Sequence, residues 1–176
     1  MKAIDADDQA LASAPRERLA GAPRIPALSR EALRRNAEGN PRDGRGWALL
    51  AYAEFDANSY AEAAAAFEKA VAASNKIAAD PGVLCDWADA VGMAQGGMLK
   101  GRPRELIARA LALRPTHPKA LEMAGSAAYE QREYAMAAEY WQALLAQLAP
   151  GSEQHRAVQS AIARAEGLAT VRAAAR

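Results

Sequence analysis

From Gly46 to Ala70 the chain reads GWALLAYAEFDANSYAEAAAAFEKA, in which bulky residues recur every three or four positions among alanines. That period predicts two helices, each with one apolar face, rather than strands. Alanine is the best helix former but buries little surface alone. So much of it marks where two helix backbones touch, with Trp47 and Phe67 filling the space beside the contact. Upstream, residues 1–27 are polar, carry Pro15, Pro23 and Pro26, and show little periodicity, so they read as a linker or disordered tail. Ser29 is a good N-cap for a short amphipathic helix carrying Leu33, and GNPRDG at 39–44 breaks it.

The pattern then repeats. Trp47, Leu84 and Leu121 follow one another at intervals of 37 residues. Leu50, Trp87 and Ala124 come three residues later, and the small residues Ala51, Ala88 and Gly125 one further on. Phe67, Ile107 and Trp141 mark a second helix in each unit, followed by Ala70, Ala110 and Leu144. Ala63 and Ala137 stand four before Phe67 and Trp141, and Pro103 takes that slot in the middle unit. This is the tetratricopeptide pattern, with a nominal period of about 34 residues. Two three-residue insertions, around ASNKIAADPG and in AQGGMLKGRP, account for the longer spacing.

The expected fold is an all-α tetratricopeptide-repeat solenoid of three helical hairpins, with an N-terminal helix and a C-terminal capping helix. It is expected to span 28–170, with repeats at about 44–77, 81–115 and 118–150 and the cap at about 152–168. Four positions depart from the pattern. Glu54, Val91 and Ala128 stand where tyrosine is expected, and Ala124 where leucine is usual.

Composition narrows the function. Of 176 residues 51% are hydrophobic, a share inflated by alanine while Val and Ile are scarce, which favours helices. With 22 basic and 21 acidic residues the net charge is +1, which points away from nucleic acid as a partner. Cys85 is the single cysteine, so no intramolecular disulfide can form, and a buried structural thiol is expected rather than a nucleophile. No apolar run approaches the roughly 18 residues of a membrane-spanning helix, and the N-terminus lacks the apolar core of a signal peptide. The chain is therefore expected to be cytosolic or the soluble part of something longer.

No catalytic, metal or cofactor site is expected. His117 and His155 are isolated, each near a helix start, where a capping or solvent role fits. AQGGMLKG has glycines and a lysine but neither a preceding strand nor a GK[ST] ending, so it reads as a hairpin loop rather than a phosphate cradle.

A stacked solenoid can instead bind a peptide along its first helices. Repeat positions 2, 5, 9, 12 and 13 should point into the groove. In the first repeat these are Arg45, Ala48, Tyr52, Phe55 and Asp56; in the second, Cys85, Asp89 and Met93. The third supplies Lys119, Glu122, Ser126, Tyr129 and Glu130. Aromatics, a methionine and both charge signs suit an amphipathic helix or an extended peptide.

NPRDGRGWALLAYAEFDANSYAEAAAAFEKA, the loop AQGGMLKGRP and the YW before LL in the third repeat resemble the periplasmic tetratricopeptide domain of the c-type cytochrome biogenesis proteins CcmI, also called CycH, and NrfG. The resemblance covers about residues 30–168. It implies a chaperone that holds an apocytochrome c, chiefly through its C-terminal helix, for haem ligation by partner proteins of the haem lyase complex. It also implies a periplasmic location, with the membrane helices of CcmI-type proteins absent from this chain. No direct membrane contact of its own is expected. A cytoplasmic tetratricopeptide chaperone or general adaptor is the alternative on the same groove.

Overall fold

The computed structural model describes residues 29–174. The reading of residues 1–27 as a linker falls on residues outside that range.

Several of the described helices start after a residue whose side chain accepts a backbone amide. Helix α1 (Arg30–Gly39) begins after Ser29, whose Oγ accepts from the Ala32 N–H at 3.3 Å. Asp43 caps α2 (Gly44–Asp56), accepting from the Arg45 N–H at 3.0 Å. Helix α3 (Tyr60–Ala73) returns alongside α2, and the four-residue α4 (Asn75–Ala78) takes up the insertion that follows. Asp80 caps α5 (Pro81–Ala94) by accepting from the Gly82 and Val83 N–H groups, with Pro81 in the first turn where no amide partner is needed. Helix α6 (Arg102–Leu113) completes the second hairpin. The third consists of α7 (Pro118–Glu130) and α8 (Tyr134–Leu145), and α9 (Glu153–Ala174) covers its end.

Packing runs in series: α1 on α2, α2 on α3, α3 on α5, and so on to α8 on α9, with α5 also touching α7. Three hairpins stacked in this order, flanked by a leading and a capping helix, make a tetratricopeptide solenoid. The first and third hairpins turn through a left-handed residue at equivalent places, Asn58 (φ 61°) and Arg132 (φ 60°). The second uses a longer loop with Gly96 (φ 81°), Gly97 (φ 86°) and Gly101 (φ 72°), conformations that glycine adopts without a Cβ penalty.

Small residues sit at the helix contacts. Ala51, Ala63, Ala70, Ala88, Ala110 and Ala137 are fully buried, beside Phe67, Leu84 and Leu106. Gly125 lies directly under the Trp141 indole, whose N–H reaches the Glu122 carbonyl at 3.4 Å. Trp47 is buried as well, and its indole N–H donates to the Pro41 carbonyl at 3.1 Å.

The charged residue at the tyrosine position of the first repeat has a structural explanation. Glu54 is 1% exposed and holds Arg30 and Arg34 of α1, so this position ties the N-terminal helix to the solenoid.

Candidate functional site

The first helices α2, α5 and α7 share one face, and a single carboxylate links all three. Tyr52 of α2 donates from Oη to Asp86 Oδ2 of α5 at 2.7 Å. Lys119 of α7 donates from Nζ to the other oxygen, Oδ1, also at 2.7 Å, and lies 3.7 Å from Asp89 Oδ2. The Tyr52 ring stands edge-on to Phe67 at 5.1 Å, so α3 sets the angle at which its hydroxyl meets Asp86.

The electrostatics follow from partial burial. Burial and the adjacent Asp86 carboxylate push the Tyr52 hydroxyl well above its ordinary range, so it acts as a fixed donor. Burial opposes the charge on Lys119, but Asp86 and Asp89 outweigh it and hold the ammonium above its ordinary value. Glu122, one turn along α7, has its carboxyl raised by burial; Lys119 counters this and Asp89 adds to it.

Of the residues expected to face the groove, Tyr52, Asp89, Lys119 and Glu122 belong to this interacting set. Arg45 and Asp56 are exposed at opposite ends of α2, and Met93 is 40% exposed in the last turn of α5. Ser126 spends its hydroxyl on the Glu122 carbonyl of its own helix at 3.1 Å. Tyr129 is partly buried against Tyr134 and Trp141, with ring centroids 5.3 and 5.8 Å away. The Glu130 carboxylate accepts from the Leu99 N–H at 2.8 Å and so pins the long middle loop to the end of α7.

Two expectations need correction. Phe55 is buried and packs edge-on against Tyr60 at 5.0 Å, because the returning helix α3 covers that side of α2. Cys85 is fully buried, and burial pushes its thiol up to about 12, so it remains a protonated core residue at neutral pH. Neither offers contact area to a ligand. Asp86 was missed, since the inward-facing repeat positions skip it. The signal was available in its spacing: Asp86 and Asp89, three apart, place two carboxylates on one side of α5.

A second concavity, of about 610 Å³ and widely open, lies beside α1, α2 and α3 and is lined in part by Arg42, Trp47 and Lys69. The Lys69 ammonium stands 4.3 Å from the Trp47 ring centroid, so that floor is already covered from within the chain. Among the described residues no group of three or more His, Cys, Asp or Glu is placed to hold a metal ion.

The family model described as "Cytochrome c-type biogenesis protein H TPR domain" matches residues 30–155. Cytochrome c-type biogenesis protein CycH of Pseudomonas aeruginosa is 31% identical over 133 residues, which are 76% of this chain and 32% of that protein. The CycH of Bradyrhizobium diazoefficiens is 30% identical over 135 residues, 77% of this chain and 36% of that protein. The chain thus spans about a third of the length of these curated relatives. Among solved structures, the crystal structure of MamA superposes with a TM-score of 0.62 at 14% identity, covering 82% of this chain and 88% of that one, a likeness of fold.

Proposed function

The chain belongs to the family of cytochrome c-type biogenesis protein H TPR domains, and from that membership we propose that it is a non-catalytic polypeptide-holding module of c-type cytochrome biogenesis. Its client is an apocytochrome c, held by the C-terminal helix on the face of α2, α5 and α7 while partner proteins ligate the haem. The module works in the periplasm as the soluble part of a membrane-anchored protein. Among the described residues no helix is long and apolar enough to cross a membrane.

One observation carries the reading. Asp86 joins Tyr52 and Lys119 across three successive repeats, so the first helices present a continuous face rather than three separate ones. Stacked repeats form such extended surfaces, and an amphipathic helix lays its apolar side along a groove of this kind. The face also combines rigid polar anchors with an adaptable methionine, Met93, a mixture suited to a helix that must be held and later released.

Titration calorimetry with a peptide copying the C-terminal helix of a c-type apocytochrome tests the proposal. Binding is expected at roughly micromolar affinity or tighter, near −8 kcal/mol. Absence of heat with every such peptide would remove the client-holding role.

A further inference from the structure

The methionines of the described residues divide by exposure. Met123, on α7, is 8% exposed within the core. Met93 and Met98 are 40% and 43% exposed, and Met136, in the first turn of α8, is 41% exposed. Met93 and Met98 lie together at one end of the face of α2, α5 and α7. Met93 belongs to the last turn of α5, one repeat interval before Glu130 at the end of α7. The loop carrying Met98 folds back on both helix ends: the Gly97 N–H donates to the Gly92 carbonyl at 2.8 Å, and the Leu99 N–H to the Glu130 carboxylate at 2.8 Å. The Gln95 amide nitrogen closes the loop by donating to the Met98 and Lys100 carbonyls at 2.5 and 3.0 Å. A Cβ on Gly92 would stand 3.4 Å from the Met98 carbonyl oxygen, so Met98 rests on the turn of α5 that carries Met93. Cys85, the single cysteine, is fully buried, and the exposed sulfur of the described residues is therefore thioether.

We propose that Met93 and Met98 form a reversible oxygenation site, at which a peroxide converts the two thioethers to sulfoxides and so weakens the hold on the client helix. In each step the thioether sulfur attacks one peroxide oxygen, and the S–O bond forms as the O–O bond breaks. The departing hydroxide takes up a proton and leaves as water; sulfur loses two electrons and the peroxide gains them. The product is a polar, chiral side chain in place of a flexible apolar one. Covering its new oxygen with an apolar residue of the client costs free energy wherever no hydrogen bond replaces the lost water. The fold itself is spared, because Met123, the methionine of the core, is shielded from the oxidant. The weakening rests on the client-holding reading, whereas the choice of methionines rests on exposure alone.

The test treats the chain with hydrogen peroxide, removes the oxidant, and locates each added oxygen by mass spectrometry of peptide fragments. Met93, Met98 and Met136 should each gain one oxygen atom while Met123 stays reduced, with the melting curve unshifted. The apocytochrome C-terminal-helix peptide, itself free of methionine and cysteine, is then titrated into the treated and untreated chains. The treated chain should bind it about tenfold more weakly, equivalent to about 1.4 kcal/mol. Methionine sulfoxide reductases of both stereospecificities, supplied with a thiol reductant, should restore the affinity. A Met93→Leu, Met98→Leu variant should show one affinity before and after peroxide, whatever its starting value. Should that pair fail to fold, the two single variants decide the matter, each losing less affinity to peroxide than the wild-type chain. Met136→Leu should bind as the wild-type chain does and lose affinity to peroxide to the same extent. If Met93 and Met98 stay reduced, or if the treated chain binds as tightly as the untreated one, the inference is overturned while the client-holding role stands. It is equally overturned if Met136→Leu abolishes the loss. If the untreated chain binds no such peptide, both fall.

Discussion

Arg34 of α1 reaches the buried carboxylate of Glu54 on α2, with Nη2 2.6 Å from Oε1. Arg30 takes the other oxygen at 3.2 Å and also meets the Ser59 hydroxyl at 3.2 Å. Both guanidinium groups stay about half exposed while the carboxylate is shut away, so the costly desolvation falls on Glu54 alone. A position that elsewhere in this repeat class holds a tyrosine has become an electrostatic latch for the leading helix.

Replacing both arginines by alanine leaves that carboxylate buried without its cations. The Arg30→Ala, Arg34→Ala variant should lose about 3 kcal/mol, the lower end for a broken buried pair because water can reach the vacated side. Adding Glu54→Met should restore most of the loss, since an apolar side chain needs no partner there. Urea midpoints of the three chains measure this. An unshifted midpoint in the double-alanine variant would mean that the latch contributes nothing to the fold.

Two glycine-to-alanine changes should move stability in opposite directions. A Cβ on Gly125 would fall inside the van der Waals envelope of the Trp141 ring, and Gly125→Ala should cost about 2 kcal/mol through forced displacement of the indole. Gly167, exposed within α9, has open space where a methyl would stand, and Gly167→Ala should gain about 0.5–1 kcal/mol from helix propensity alone. Equal effects of the two on the melting temperature would show that the α7–α8 approach is looser than described.

Ala124 holds the position filled by Leu50 and Trp87 in the other hairpins, and a cavity of about 50 Å³ bounded by Ile107, Ala124, Ala127, Ala128 and Tyr140 lies beside it. Ala124→Leu should fill this space and stabilise the chain by about 1 kcal/mol, raising the melting temperature by roughly 3 °C. A fall instead would show that the cavity walls have no room to accept three more carbon atoms.

The repeat was legible because Trp47, Leu84 and Leu121 recur at one interval, with small residues at one offset behind them. Such spacing follows directly from two helices having to touch. What escaped detection was set by contacts remote in sequence. Phe55 reads as groove-facing on its own helix, yet α3 returns on that side and places Tyr60 against it. The side of α5 carrying Cys85 is closed over by neighbouring helices, which no property of α5 alone reveals. The departure at Glu54 was visible as an exception, but its meaning required the arginines of a helix 20 or more residues earlier. Asp86 went unnoticed because the repeat rule describes typical inward positions, and this carboxylate is held at the face by Tyr52 and Lys119.

His117 gives the fold a pH-sensitive cap. Its Nδ1 accepts the Ala120 N–H at 3.3 Å at the start of α7, which requires the lone pair of a neutral ring. Burial lowers its pKa, Arg114 adds to this, and the carboxylates of Asp80 and Asp86 oppose both without reversing the shift. The unfolded chain titrates near the ordinary histidine value of about 6.5. Below that value the unfolded state takes up a proton more readily than the folded one, so stability falls as the pH drops. Between about pH 7.5 and 5.5 the wild-type chain should lose on the order of 1 kcal/mol, the worth of one helix cap. His117→Asn keeps an acceptor at the cap and removes the imidazole titration, so its stability should fall by less than that of the wild-type chain over the same interval. Urea unfolding of both chains across that range measures the difference. Parallel pH profiles would show that α7 does not depend on the imidazole for its first turn.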